Sequence, residues 1–236
     1  MRKIAIKANN RLVDFQRLKY LLVFVILLLV VIFTNKSYAQ GFQGGVAIGT
    51  NLTQVDGDEV FGFKKFGLNT AAIAIFPFKE KWSVSLEASF SQKGAYQKYP
   101  REMLAGKDLP YYKLTLNYAE IPLMLHFTDK GFLTFGLGFS YGRLVGVREI
   151  EWGVQTPLTL YSGDYSRDDY NVIVDVRAPI YKKIYFNFRY AYSLTKIRTR
   201  TYTNIAGDEW KRNQYNNIIT VRLLYIFNDV KKHSDD

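Results

Sequence analysis

Five charged residues lie within otherwise alternating apolar segments, and they are the side chains of this sequence best placed to do chemistry together: Glu87, Asp175, Arg177, Arg189 and Arg222. Carboxylates and guanidinium groups in this pattern could form a polar relay or line a solute path. They could also form a structural ion-pair network, because buried charges must be paired. We expect the structural network.

Two groups of acidic residues raise the question of a calcium site. The first is Asp56, Asp58 and Glu59, and the second is Asp164, Asp168 and Asp169. Calcium takes about six to eight oxygen ligands at suitable spacing, and neither short group supplies such a set. We therefore predict two solvated loops and no metal site.

The sequence contains no recognisable catalytic motif. Gly-x-Ser-x-Gly, the phosphate loop and HExxH are all missing. Cysteine is absent, which excludes disulfides, thiolate zinc sites, a cysteine nucleophile and a lipoprotein anchor. His126 and His233 are the only histidines. We predict no enzymatic activity and no cofactor.

The net charge of +11 could suggest nucleic-acid binding. Residues 1–39 alone carry +6, however, and the remaining charges are scattered along the chain rather than gathered into a basic stripe. We therefore expect no nucleic-acid partner.

The first 39 residues have the organisation of a helical signal peptide. A basic stretch ends at Lys19, and the apolar run Tyr20–Phe33 is 14 residues long, which is short for a membrane-spanning helix. Small residues follow at Ser37 and Ala39, so we predict cleavage between Ala39 and Gln40. An uncleaved inner-membrane anchor is the alternative, and either segment takes the rest of the chain out of the cytoplasm.

Eight segments after residue 40 show the two-residue alternation of β-strands. They are residues 41–51, 64–77, 82–91, 111–127, 133–142, 170–178, 184–194 and 219–227. Two of them change phase, between Leu68 and Ile73 and near Ala119 and Glu120, and a β-bulge near Pro122 accounts for the second shift.

The connections between these segments alternate between short and long. Residues 78–81, 128–131 and 181–183 are short, whereas 52–63, 99–110, 149–167 and 198–213 are long and polar. This pattern predicts an all-β fold: an eight-stranded antiparallel up-and-down transmembrane β-barrel at 40–227, with both termini in the periplasm and a polar tail at 228–236.

Three features indicate that the bulky apolar face of the barrel meets lipid. An eight-stranded lumen has room only for small side chains, such as those of Gly136, Gly138 and Ser85. The five charged residues share that small polar face. Aromatic residues group near the two ends of the strands, as in the girdles of membrane barrels: Phe76, Trp82, Phe127, Phe132, Tyr185, Tyr225 and Phe227 near the short turns, and Tyr96, Tyr112, Tyr141, Tyr170, Tyr192 and Tyr215 near the long loops.

Several short motifs in a fixed order resemble the outer-membrane β-barrel family that includes PorT-like proteins. They are Gly41–Asn51, Gln54–Asp58, Phe90–Gly94, Leu116–Leu123, Gly138–Gly142 and Tyr190–Ser193. The resemblance implies a barrel of the outer membrane, assembled through the periplasm, without a general active site.

The expected partners are outer-membrane lipid, the outer-membrane assembly machinery, and an extracellular or envelope protein that contacts the long loops. A structural or secretion-accessory role in the envelope is equally consistent with this fold. A narrow solute conduit and a soluble, lipocalin-like periplasmic barrel that binds an apolar ligand are the rival hypotheses.

Overall fold

A computed structural model describes residues 41–98, 111–204 and 206–227. These residues form ten β-strands: β1 (Gln43–Asp56), β2 (Lys65–Pro77), β3 (Trp82–Lys98), β4 (Tyr111–Asp129), β5 (Leu133–Glu151), β6 (Val154–Gln155), β7 (Asp168–Tyr181), β8 (Ile184–Ser193), β9 (Arg198–Thr203) and β10 (Glu209–Ile226). No helix among these residues is long and apolar enough to cross a membrane.

Eight of the described strands form a closed antiparallel ring in chain order, with β6 and β9 outside it. The ring closes where β10 pairs with β1, from Ile226 opposite Gly45 to Tyr215 opposite Asp56. The short strand β6 pairs with β5, and β9 pairs with β10. The predicted eight-stranded, up-and-down β-barrel is therefore confirmed.

The outer face of the ring carries the bulky apolar side chains. Phe135 and Phe186 are exposed, whereas Glu87 and Arg189 are almost completely buried in the lumen. Along β5, exposed and buried residues alternate without interruption from Phe135 to Val145. Lipid-facing apolar residues and a polar lumen are the arrangement of a transmembrane barrel, the reverse of a soluble one.

Strand β2 does not contain the predicted change of phase. Every second residue from Lys65 to Ile75 is buried, so that Leu68 faces outward and Ile73 faces the lumen within one regular strand. The apolar residues change face because the lumen itself becomes apolar towards this end. Its buried apolar cluster consists of Ala47, Ala71, Ile73, Ile75, Leu224 and Ile226.

The bulge predicted in β4 is also wrong. Every second residue from Tyr112 to His126 is buried, with no break at Ala119 or Glu120. The irregularity lies in the neighbouring strand, where Asn117 and Tyr118 pair with Gly146 and Leu144 and leave Val145 unpaired.

The strands extend further towards the long-loop end than the sequence predicts. Residues 52–56 belong to β1 and residues 149–151 belong to β5, while most of 198–213 forms the β9–β10 hairpin. The predicted loops 52–63, 149–167 and 198–213 are therefore too long. The predicted loop 99–110 lies outside the described residues.

The opposite end has short turns. Strands β4 and β5 are joined by residues 130–132, and Lys130 and Gly131 both have positive φ angles, which reverse the chain in a tight hairpin. Residues 78–81 and 182–183 form the other two short connections at this end of the described ring.

Aromatic side chains pair on the outer surface at both ends of the apolar band. The rings of Trp82 and Phe127 are 5.1 Å apart at the short-turn end, and those of Tyr141 and Tyr170 are 5.4 Å apart at the loop end. Two predicted members of these girdles are wrong, because Tyr112 is buried in the lumen and Tyr185 packs against the apolar cluster at the short-turn end.

The predicted division of the chain into 1–39, 40–227 and 228–236 stays a prediction. Residues 1–40 and 228–236 lie outside the described residues, and so do Ser37, Ala39 and Gln40 of the predicted cleavage region.

Candidate functional site

The lumen contains a charge network centred on Glu87. Arg189 approaches Glu87 at 2.7 Å and Asp175 at 2.9 Å. Arg222 donates to Glu87 Oε1 at 2.9 Å and, through Nε, to Asn187 Oδ1 at 2.7 Å. Because these residues come from β3, β7, β8 and β10, the network ties distant sides of the ring together.

Arg177 lies at the edge of this network rather than in its centre. Its Nη2 is 3.4 Å from Nε2 of His126, which is itself 3.4 Å from Asp175 Oδ1. The structure thus brings four of the five predicted charged residues into direct contact and connects the fifth through His126. The position of His126 between the outward residues Leu125 and Phe127 was the available signal that it faces the lumen.

Gly136 makes room for the network. A Cβ atom at this position would overlap Asp175 Oδ1 and would lie 2.7 Å from the imidazole Cδ2 of His126. The glycine on the inward face of β5 therefore accommodates a charged layer, as the predicted small inward face requires.

A second charged layer, which sequence reasoning missed, surrounds Lys93. Its ammonium group lies 2.6 Å from Glu120 Oε1, 2.9 Å from Asp169 Oδ2 and 4.8 Å from the centre of the Tyr118 ring. The prediction that Asp169 lies in a solvated loop is wrong, because this residue belongs to β7 and is fully buried. Asp169 continues the inward alternation of Asn171 and Asp175, and this continuation was the signal.

A polar cavity of about 20 Å³ lies between the two charged layers. Lys93, Glu120, Asn171 and Arg189 contribute to its walls. This volume suits about one water molecule, so the space between the layers is far too small for a solute.

Buried apolar residues fill the lumen beyond the Lys93 layer, towards the long loops. They are Val55, Ala95, Tyr112, Leu114, Leu116, Tyr118, Leu144, Tyr165 and Ile197. Val60 packs against them from the first connecting segment, residues 57–64, and Leu158 and Leu160 do so from the second, residues 156–167. These segments therefore fold over the mouth of the barrel and form its roof.

A buried ion pair joins the β9 hairpin to β5, and Tyr165 of the second roof segment bonds to the same carboxylate. Arg198 of the β9 hairpin donates to both carboxylate oxygens of Glu149, at 2.8 and 3.1 Å. The hydroxyl of Tyr165 donates to the same carboxylate at 3.1 Å. Burial raises the pKa of Tyr165. Burial disfavours the charge on Arg198, but the hydrogen bonds to Glu149, together with the charge interactions with Tyr165, Tyr112 and Glu149, hold the pKa of the guanidinium above its usual range.

Asp58 is a buried titratable group of the first roof segment. Burial raises its pKa to about 7, although the Val60 N–H donor and the charge of Arg198 act in the opposite direction. The prediction of a solvated position is therefore wrong for Asp58. The neighbouring Glu59 is exposed, and Asp56 accepts hydrogen bonds from Gln54 and Asn217.

The acidic residues of the other group are also placed separately. Asp164 is exposed, and Asp168 pairs on the outer surface with Arg143 at 2.6 Å. Within the part of the chain that the structure describes, no group of three or more histidine, aspartate or glutamate side chains is arranged to hold a metal ion.

The segments around the roof expose large apolar side chains beyond the lipid-facing band. Tyr161 is 86% exposed and Phe61 is 80% exposed, next to Leu160 and Val60 of the roof. Because they lie outside the lipid-facing band, Phe61 and Tyr161 are candidate contact residues for a partner.

A protein-family model described as "Outer membrane protein beta-barrel domain" matches residues 35–198, well over half of the chain. The chain belongs to this family. Membership of the outer-membrane β-barrel family agrees with the bulky apolar side chains on the outer face of the ring. No curated protein matches the chain in sequence.

Solved structures similar to this family member include Ail of Yersinia pestis, at 13% identity and a TM-score of 0.46 over 78% of this chain and 98% of Ail. Neisserial surface protein A is 10% identical, with a TM-score of 0.43 over 79% of this chain and 96% of that protein. A major outer membrane protein of Thermus thermophilus is 13% identical, with a TM-score of 0.45 over 80% of this chain and 100% of that protein.

Proposed function

We propose that this member of the outer-membrane β-barrel family is an integral, non-enzymatic protein of the outer membrane that presents its roof to a protein partner. Both termini lie on the periplasmic side in this proposal, because the short turns of membrane barrels face the periplasm and the longer loops face outward. The long connections of the described chain all lie at the end opposite the short turns.

The observation that supports this function best is the contrast between the lumen and the roof. Two charged layers and an apolar cluster fill the lumen, so the barrel serves as a rigid support rather than as a path. The roof segments are held by apolar packing on the cluster and by the hydrogen bond from Tyr165 to Glu149. They nevertheless expose Phe61 and Tyr161. Aromatic residues are enriched at the energetic centres of protein interfaces.

A soluble lipocalin-like function has little support. A lipocalin needs an apolar ligand cavity inside the barrel, whereas Glu87, Lys93, Arg189 and Arg222 occupy this lumen. Its apolar surface lies outside, where it would require lipid.

Two classes of partner fit this proposal. The PorT-like resemblance is the reason to include an envelope protein, in a structural or secretion-accessory role. An extracellular protein is the alternative partner, and both would contact the same roof.

Site-specific photo-crosslinking in intact cells tests this function. A photoreactive amino acid replaces Phe61 or Tyr161 in the roof, and Lys79 in the turn 78–81 serves as the control. We expect both roof positions to give an adduct with the same protein, identified by mass spectrometry, and the Lys79 position to give no such adduct. Equal labelling from all three positions, or none from the roof, would contradict the proposal.

A further inference from the structure

The outer face of β3, β4 and β5 carries an exposed basic patch beyond the apolar band. The patch consists of Lys98, Lys113 and Arg148, one from each strand. Among the described residues, none forms a hydrogen bond or an ion pair with these three side chains. Within the described part of the chain, their charges are therefore left for a ligand outside the barrel.

Strand register brings the three cations together. Lys113 lies opposite Tyr96, two residues from Lys98, and Arg148 lies opposite Thr115, two residues from Lys113. Diagonal neighbours on one face of a sheet are about 7–8 Å apart, within reach of long side chains, so these like charges repel one another. An anion bound between them would remove this repulsion.

The described residues around the patch do not neutralise it. Gln92 and Asn117 bond to each other at 3.0 Å, and the outward Arg143 is already paired with Asp168. No acidic side chain faces outward in the described part of β3, β4 or β5 between the apolar band and the patch. On the described outer face of β3, β4 and β5, the charge of the patch is therefore positive and unbalanced.

The height of the patch limits the type of anion. The outward apolar run of β4 ends at Ala119, and Lys113 lies six residues further along the strand. At ~3.4 Å per residue and a tilt of ~40°, Lys113 stands roughly 15 Å above the hydrocarbon. The headgroup layer of a phospholipid bilayer is only about 5–8 Å thick on each side, so phospholipid phosphates lie below the patch.

We propose that Lys98, Lys113 and Arg148 bind the phosphate groups of an outer-leaflet glycolipid whose phosphorylated sugar headgroup rises above the phospholipid level. Tyr96 and Tyr111, whose rings are 6.2 Å apart, lie beside these cations and offer aromatic faces on which a sugar ring can pack. The site rests on the orientation in the proposed function, which places this end of the barrel in the outer leaflet.

Lipopolysaccharide, which carries phosphates on an extended sugar headgroup, is the probe for this site. The folded full-length protein is immobilised in detergent micelles and titrated with lipopolysaccharide, with its dephosphorylated form and with phosphatidylglycerol. We compare K113Q/R148Q with K196Q/K211Q, which removes the same charge from exposed lysines elsewhere on the long-loop end.

We expect K113Q/R148Q to weaken lipopolysaccharide binding by about tenfold or more and to reduce its salt dependence, because charge attraction is screened by salt. The K196Q/K211Q control should bind as the unchanged protein does, and the dephosphorylated probe and phosphatidylglycerol should bind weakly to all three. Equal affinity of both double variants, or equal binding of phosphorylated and dephosphorylated probes, would overturn the site.

Two controls show whether weaker lipopolysaccharide binding comes from lost charge rather than from misfolding. Gel mobility before and after boiling checks that each variant is folded, and an additional charge reversal, K113E, must weaken binding further if the patch acts through charge. Roof crosslinking at Tyr161 tests the proposed function without lipopolysaccharide, so either proposal can fail alone. Surface labelling of Lys113 in intact cells tests the shared orientation.

Discussion

Glu87 is the residue on which the charge network of the lumen depends. It is almost completely buried and contacts two guanidinium groups, those of Arg189 and Arg222. Charges removed from water are costly unless they are paired and hydrogen-bonded. The carboxylate therefore compensates two buried cations, of which Arg189 also pairs with Asp175.

Substitution Glu87→Gln should destabilise the folded barrel by ~3–5 kcal/mol, because it leaves the paired arginines with an uncompensated buried charge. Urea unfolding in detergent micelles, followed by tryptophan fluorescence, measures this change. Asp168→Asn is the matched control, since it removes an exposed carboxylate from its pair with Arg143 and should change the stability of the barrel far less. Similar losses in the two variants would show that burial does not determine the value of these pairs.

Asp58 should make the roof sensitive to pH. Its pKa of about 7 in the folded chain lies well above the value of about 4 in an unfolded chain. The folded state therefore holds this proton more tightly, and its contribution to stability is complete below pH ~4 and is lost as the pH rises through about 7.

Limited trypsin cleavage after Lys64, at the end of the first roof segment, measures this effect. Raising the pH through about 7 should increase cleavage of the unchanged protein relative to Asp58→Asn, because the amide cannot ionise. The ratio of the two proteins at each pH cancels the pH dependence of trypsin itself. A constant ratio would exclude Asp58 as the titrating group.

At the scale of strands, alternation predicted where the eight barrel strands lie because one face of each strand meets lipid. It failed in β2 and β4, since Ile73 and Leu116 are lumen residues that are as apolar as the lipid-facing ones. A change in the chemistry of the lumen and a bulge produce the same sequence pattern. Pairs such as Lys93 and Asp169, 76 residues apart, depend on the stagger of the ring and could not be predicted from the strands alone.

The seam between β1 and β10 depends on close backbone approach at Gly49. A Cβ atom there would overlap the carbonyl oxygen of Val221 and the Cβ of Arg222. Gly49→Val should therefore prevent normal closure of the ring and displace Arg222 from Glu87. We expect this variant to lose the heat-modifiable gel mobility of a folded barrel.

Gly41→Val is the matched control for the seam, because a Cβ at Gly41 would meet no atom within 4 Å. This variant should fold with the same yield and mobility as the unchanged protein. Normal mobility of Gly49→Val would show that the seam can widen without loss of the barrel.

At the scale of the whole molecule, the lumen has three closures of different chemistry. The Glu87 network, the Lys93 layer and the apolar cluster around Leu114 follow one another towards the roof. Loss of one closure leaves the other two in place, so no single ion pair acts as a gate.

The purified barrel should therefore conduct no ions in planar bilayers, and Glu87→Gln should be equally silent if it inserts. The predominantly apolar side chains of this cluster fill the lumen between the Lys93 layer and the roof, and an apolar constriction excludes the water that an ion needs. Single-channel recording in molar potassium chloride measures this, with a large open porin as the positive control. Stepwise currents from the unchanged protein would mean that the lumen opens in a membrane, and the barrel would then be a conduit rather than a support for its roof.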